Sequence, residues 1–120
     1  MRSIVSLAAL GAAALVAAVT ANGAMDARAA TPQRVAVGMT EFKFTVVPKT
    51  VRKNAVITFA LTNRGGIGHD FKVGGKKSAV LGAGTRGTLR VTFKRPGRYP
   101  YLCTLPSHAA AGMKGVLVVK

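Results

Sequence analysis

Short segments in which apolar and polar residues alternate follow one another from residue 34 to the end of the chain. Turns rich in Gly, Pro and Asn separate them, for example Asn63-Arg64-Gly65-Gly66 and Arg95-Pro96-Gly97. Alternation with a period of two is typical of strands that bury one face. The predicted strands cover residues 34–39, 41–47, 55–62, 69–73, 85–94, 98–103 and 116–119.

No segment beyond the first thirty residues shows the 3.6-residue period of a helix. Short strands at this spacing predict an all-β fold, a Greek-key antiparallel β-sandwich of seven to eight strands. Residues 30–120 are enough for a single domain with a modest hydrophobic core.

The N-terminus has the pattern of an export signal. Met1-Arg2-Ser3 supplies a positive charge, residues 4–21 are uncharged and mostly Ala, Val and Leu, and Ala27-Arg28-Ala29 fits the Ala-x-Ala rule. We expect a signal peptide over 1–29 with cleavage after Ala29, Ala24 being a less regular site. The competing interpretation is an uncleaved membrane anchor. Because the run is dominated by Ala and Gly, it is only weakly hydrophobic for a permanent membrane span. The prediction is a periplasmic or secreted protein with no membrane span after cleavage.

The charge of the chain is strongly unbalanced, with a formal net value of +15. After the predicted signal only Glu41 and Asp70 are acidic, against sixteen Lys and Arg spread along the sequence. The simpler interpretation is a solvated surface that keeps a small domain soluble, and the second is steering toward redox partners with an acidic surface. No recognition motif supports nucleic-acid binding, and we expect a monomer.

The chain has one cysteine and two histidines, and all three fall into one metal-ligand pattern together with a methionine. Cys103, His108 and Met113 follow one another at five-residue steps, and His69 lies upstream after a glycine-rich turn. One thiolate, two imidazoles and one thioether make a mononuclear copper site of the blue type, whereas Met is a poor ligand for zinc. In an oxidising compartment an unpaired cysteine is either buried and inert or ligated.

Each of these residues also has an ordinary structural interpretation. A lone cysteine is often a small buried hydrophobe, and a methionine can be core filler. A catalytic Cys-His pair is the other chemical use, but no third polar residue is evident to orient the imidazole and no nucleophile motif surrounds Cys103. The joint pattern therefore favours copper and argues against an enzyme.

The chain resembles the cupredoxins, the plastocyanin/azurin-like small blue copper proteins, over essentially the whole domain. The likeness is sharpest in Gly68-His69-Asp70-Phe71 and in Tyr99-Pro100-Tyr101-Leu102-Cys103-Thr104. It implies that His69, Cys103 and His108 are the equatorial ligands of the copper, that Met113 is the long axial ligand, and that the Gly68 carbonyl is a weak second axial contact.

The resemblance also implies a hydrogen bond behind the ligands, from Thr104 to the side chain after the first histidine. The family often has Asn there, and this chain has Asp70, whose charge would lower the reduction potential.

The leading functional hypothesis is a carrier of single electrons. His108 is the expected electron port, within an apolar collar that includes Leu105, Pro106 and Ala109. The alternative is a periplasmic copper-binding protein for copper delivery or sequestration. A fragment of a copper enzyme is a third possibility, but its catalytic copper would need a further histidine cluster. A protein that binds anionic surfaces through charge alone is the fourth, and its binding would not depend on Cys103.

Overall fold

The structure, a computed structural model, describes residues 31–120 of the chain. The predicted signal peptide over 1–29 lies outside the described residues. Nine strands are present in the described part. They are β1 (Gln33–Thr40), β2 (Lys43–Val47), β3 (Thr50–Val51), β4 (Val56–Asn63), β5 (Lys72–Val73), β6 (Lys76–Lys77), β7 (Arg86–Thr92), β8 (Gly97–Leu102) and β9 (Lys114–Val119).

The strands form two sheets, which confirms the all-β prediction. One sheet has the order β2-β1-β4-β7 and the other has the order β3-β9-β8-β5-β6. The expectation of purely antiparallel sheets needs one correction, because β1 pairs with β4 and β3 pairs with β9 in parallel. The chain leaves the first sheet after β2, adds β3 to the second sheet and then returns, and such a crossover permits parallel neighbours.

Alternation along each strand places one face in a shared core. In β4 the buried positions are Ile57, Phe59, Leu61 and Asn63, and the residues between them are more exposed. The centre of the core is an aromatic group in which ring centroids lie 5.2 to 5.6 Å apart. Its members are Phe44, Phe59, Phe71 and Tyr101. Phe71 and Tyr101 are each two residues from a predicted ligand, so the core supports the site directly.

The strands differ from the sequence prediction in three main respects. The predicted strand 69–73 is reduced to Lys72–Val73, because His69 makes only an isolated bridge with Leu81. The strand predicted from residue 41 begins at Lys43, since Glu41 and Phe42 form the turn after β1. The two-residue strands β3 and β6 were not predicted, being too short to show alternation. Residues 31–120 include no helix with the length and apolarity that a membrane crossing requires.

Candidate metal centre

The loop that joins β8 to β9 contains three of the four predicted ligands. A backbone hydrogen bond of 3.1 Å, donated by the Cys103 amide to the Met113 carbonyl, joins the two ends of the loop. Inside the loop the His108 amide donates to Leu105 at 3.1 Å, and the Met113 amide donates to the His108 carbonyl at 3.1 Å. These bonds draw Cys103, His108 and Met113 together at one end of the sandwich.

The fourth predicted ligand, His69, lies in the connection between β4 of one sheet and β5 of the other. Two backbone hydrogen bonds with Leu81, of 3.1 and 2.8 Å, hold His69 in place. Asn63, which is fully buried, shapes the preceding turn: its side-chain amide donates to the carbonyls of Ile67 and Leu81, and its oxygen accepts from the Gly65 amide. The site is therefore built from two segments, the β8–β9 loop of the second sheet and the connection that joins the first sheet to the second.

The side chains of His69, Cys103 and His108 converge in the structure. Their ligand atoms all lie within 4.8 Å of one another. The two imidazole Nδ1 atoms are 3.2 Å apart, and the Cys103 Sγ is 3.4 Å from the His108 Nδ1. His69, Cys103 and Met113 are buried, with exposed fractions of 0%, 1% and 0%, and His108 is half-buried.

These separations fit one shared metal ion. Two nitrogens that each bind a first-row ion at about 2.0 Å are roughly 3.4 Å apart when the angle between them is roughly 110–120°. The observed Nδ1 separation of 3.2 Å is close to that value. Soft sulfur donors beside imidazole select copper over the hard cations, which prefer oxygen. The donor set and its spacing therefore suit copper, and His69, Cys103, His108 and Met113 form a typical blue copper site.

The surroundings of the Cys103 thiol differ from those of catalytic cysteines. Burial raises the pKa of the Cys103 thiol, and the backbone amides of Asp70 and Leu105, which point at the sulfur, partly oppose that effect. A reactive cysteine has a lowered pKa and is partly exposed. A buried thiol with two amide donors is instead placed to become a metal-bound thiolate.

Asp70 and Thr104 connect the two ligand segments behind the centre. The Asp70 carboxylate is fully buried and accepts the Thr104 amide at 2.7 Å and the Thr104 hydroxyl at 2.5 Å. The ammonium of Lys77 lies 3.9 Å from the same carboxylate. Because Asp70 follows His69 and Thr104 follows Cys103, this contact fixes the position of one ligand segment against the other.

Two residues at the centre, Glu41 and Phe42, were missed by the sequence analysis. The Glu41 carboxylate lies 2.8 Å from the His69 Nε2, and the Phe42 ring makes an edge contact with the His108 ring at 5.0 Å between centroids. The hydrogen bonds from His69 and from the Gly66 amide hold the pKa of Glu41 below its usual value. The alternating pattern assigned both residues to a strand, and the scarcity of acids in the chain was the one signal for Glu41.

The residues of the predicted apolar collar lie around His108. Leu105 and Ala109 are half-buried and Pro106 is exposed. Phe42 adds to this surface, because its ring contacts His108, and it is one of three exposed large hydrophobic side chains in the β1–β2 turn, the β4–β5 connection and the segment after β6. They are Phe42, Ile67 and Val80, with exposed fractions of 39%, 45% and 52%.

A two-sheet β-sandwich with a His-Cys-His-Met centre at one end defines a blue copper protein of the cupredoxin class. Comparison with known families agrees: residues 16–120 match the model of the copper binding proteins of the plastocyanin/azurin family. The chain belongs to this family.

The similar proteins include auracyanins. A segment of 42 residues, 35% of this chain, is 48% identical to auracyanin-B of Chloroflexus aurantiacus, and this match takes in 18% of that protein's length. The structure of auracyanin B superposes with a TM-score of 0.65 at 26% identity, covering 75% of this chain and 91% of that one. Reduced auracyanin from Roseiflexus castenholzii gives a TM-score of 0.63 at 23% identity, covering 76% and 98%.

Proposed function

We propose that this blue copper protein carries single electrons between redox proteins. The observation that supports this most directly is the convergence of the His69, Cys103 and His108 donors within 4.8 Å at the end of a packed sandwich. In this proposal those three side chains are the strong ligands, Met113 is the axial ligand and the Gly68 carbonyl is a weak axial contact. Bound copper would supply the Cu(II)/Cu(I) couple, for which sulfur and imidazole donors together are suited.

The burial of the ligands favours a carrier over a copper-delivery protein. Three of the four proposed ligands, His69, Cys103 and Met113, are at most 1% exposed, and backbone hydrogen bonds close the loop that carries Cys103 and Met113. Transfer of the metal to an acceptor would require this loop or the His69 segment to open. A rigid, closed donor set holds the metal and changes little when one electron is gained or lost.

His108 is the proposed port for the electron, since it is the one half-buried residue among otherwise buried ligands. The side chains around it, including Leu105, Pro106, Ala109 and Phe42, form a small apolar surface. Redox encounters use small interfaces that release quickly. An apolar contact of limited area around His108 suits such an encounter.

The charge of the domain suggests the chemistry of the partner. In the described residues Asp70 is fully buried and Glu41 contacts His69, so nearly all of the surface charge is positive. We infer that the partner has an acidic surface and that association is steered electrostatically. Screening over about 10 Å at 0.1 M salt should slow the encounter as the ionic strength rises.

The remaining parts of the proposal follow from the sequence. Both histidines of the chain lie in the one centre, which leaves none for a second, catalytic copper, so we propose that the protein is not an enzyme. The predicted signal over residues 1–29 supports a periplasmic or secreted protein, and we propose that it is a monomer.

The first test is the visible absorption of the domain after one equivalent of Cu(II) is added. The expected result is an intense thiolate-to-copper charge-transfer band that is lost in Cys103→Ala and in His69→Ala. Repeated reduction and oxidation in the presence of a Cu(I) chelator then distinguishes the two candidate functions. Retention of the band through many cycles supports the carrier, whereas rapid loss of copper on reduction would support delivery.

A further inference from the structure

Glu41 reaches the metal centre from the turn between β1 and β2. Its Oε1 is 2.8 Å from the Nε2 of His69, the imidazole nitrogen that points away from the other ligands. The His69 side chain is fully buried, while the Glu41 side chain is 36% exposed. An ion pair with both ends exposed contributes little, but here one end is a buried ring whose orientation decides which nitrogen faces the site.

The turn that follows β4 is built to receive this carboxylate. The Gly66 amide donates to both Glu41 oxygens at 3.1 Å. At Gly65 a Cβ atom would lie 2.0 Å from the Glu41 Oε1 and 3.2 Å from the His69 Nε2, so any side chain there would displace the carboxylate. At the adjacent Gly66 a Cβ atom would be 3.9 Å from the Glu41 Oε2, an ordinary contact.

The nitrogen of a histidine that binds metal is set by the hydrogen bond that the other nitrogen makes. With Nε2–H donating to Glu41, the lone pair of the His69 Nδ1 is left facing Cys103 and His108. A carboxylate acceptor also makes the imidazole a stronger electron donor than a neutral acceptor does. A stronger donor stabilises Cu(II) more than Cu(I).

We propose that Glu41 is a positioning residue of the copper centre, which fixes the Nδ1-binding form of His69 and, through its charge, favours the oxidised metal. This inference rests on the proposed copper function. Glu41 then joins the ligands and the Asp70–Thr104 contact as a residue that sets the copper affinity and the reduction potential.

The test compares Glu41→Gln, Gly65→Ala and Gly66→Ala with the unmodified domain. Glu41→Gln removes the charge and keeps an acceptor of similar shape, whereas Gly65→Ala keeps the charge and displaces the carboxylate. Gly66→Ala is the matched control, because it adds the same methyl group one residue away where the structure has room. Thermal unfolding of the metal-free proteins checks that all variants fold.

Three readouts separate positioning from a merely structural role: the His69 ring tautomer by nitrogen-15 NMR in the metal-free protein, Cu(II) affinity by chelator competition, and reduction potential. Loss of a group behind a ligand costs about 10- to 100-fold in metal affinity, and we expect the lower end because Glu41 is partly exposed. A tenfold weaker Cu(II) affinity at unchanged Cu(I) affinity raises the potential by about 59 mV.

The proposal is supported when Glu41→Gln weakens Cu(II) binding and raises the potential, Gly65→Ala disturbs the His69 tautomer and weakens binding, and Gly66→Ala does neither. It is overturned when Glu41→Gln and Gly65→Ala bind Cu(II) as the unmodified domain does, with the same tautomer, even if they unfold at a lower temperature. In that case the charge-transfer band remains and the electron-carrier function stands. Absence of the band in the unmodified domain would instead refute the proposed function and the copper role of Glu41 with it.

Discussion

Among the polar contacts of the domain, substitution of the Asp70–Thr104 contact should lower the free energy of unfolding most, because this contact joins the two ligand segments through a fully buried carboxylate. Replacing Asp70 with alanine removes two hydrogen bonds to a charged group, each contributing about 1.5–3 kcal/mol. Relief of the cost of burying the carboxylate offsets part of this loss. We expect the free energy of unfolding to fall by about 2–4 kcal/mol.

The loss should be visible in the unfolding of the metal-free domain. For a domain of this size 1 kcal/mol shifts the melting temperature by roughly 4–8 °C, so Asp70→Ala should melt at least about 8 °C lower. Thr104→Val, which removes the hydroxyl and keeps the amide, should lose about half as much. Asp70→Asn keeps an acceptor for the Thr104 amide and should lose less than Asp70→Ala.

A double-mutant cycle shows whether the two side chains act together. If they do, the loss in Asp70→Ala with Thr104→Val should be smaller than the sum of the two single losses, since both substitutions remove the same hydroxyl contact. The reasoning would be refuted by an Asp70→Ala domain whose unfolding free energy stays within about 0.5 kcal/mol of the unmodified protein, the usual range for surface substitutions.

Three further predictions concern the core and the apolar surface. Gly115→Ala should cost about 1–3 kcal/mol because its Cβ would lie 2.3 Å from the hydroxyl of the buried Tyr101, whereas Gly82→Ala, with no atom within 4 Å, should be near neutral in urea unfolding. Burial raises the pKa of Tyr101, so its contribution to stability is fully present below the unfolded pKa of about 10 and is lost as the pH rises through the folded value. Tyr101→Phe should flatten that alkaline loss, and an unchanged pH profile would contradict this assignment. Phe42→Ala should leave the absorption spectrum intact and slow electron exchange with a partner about fivefold, the factor that corresponds to a loss of about 1 kcal/mol at the interface. Stopped-flow rates equal to those of the unmodified domain would exclude Phe42 from the interface.

The fold class and the copper-binding class of this protein are determined by the sequence. Period-two alternation in segments such as 55–62 and 85–94 specifies strands that bury one face, because successive side chains point to opposite sides. The copper chemistry follows from residue types alone, since Cys103, Met113 and the two histidines supply the soft and borderline donors that copper prefers. These properties are local to the chain.

The tertiary structure decided the pairings between distant segments. The parallel pair of β1 and β4 and the two-residue strand β3 depend on how the chain crosses between sheets, which no local pattern encodes. The contact of Glu41 with His69 spans 28 residues and needs the Gly65–Gly66 turn folded against the β1–β2 turn. From the sequence pattern, a charged side chain in an alternating segment is predicted to be exposed to solvent. Only the packed loops show that this carboxylate lies against a buried imidazole of the copper site.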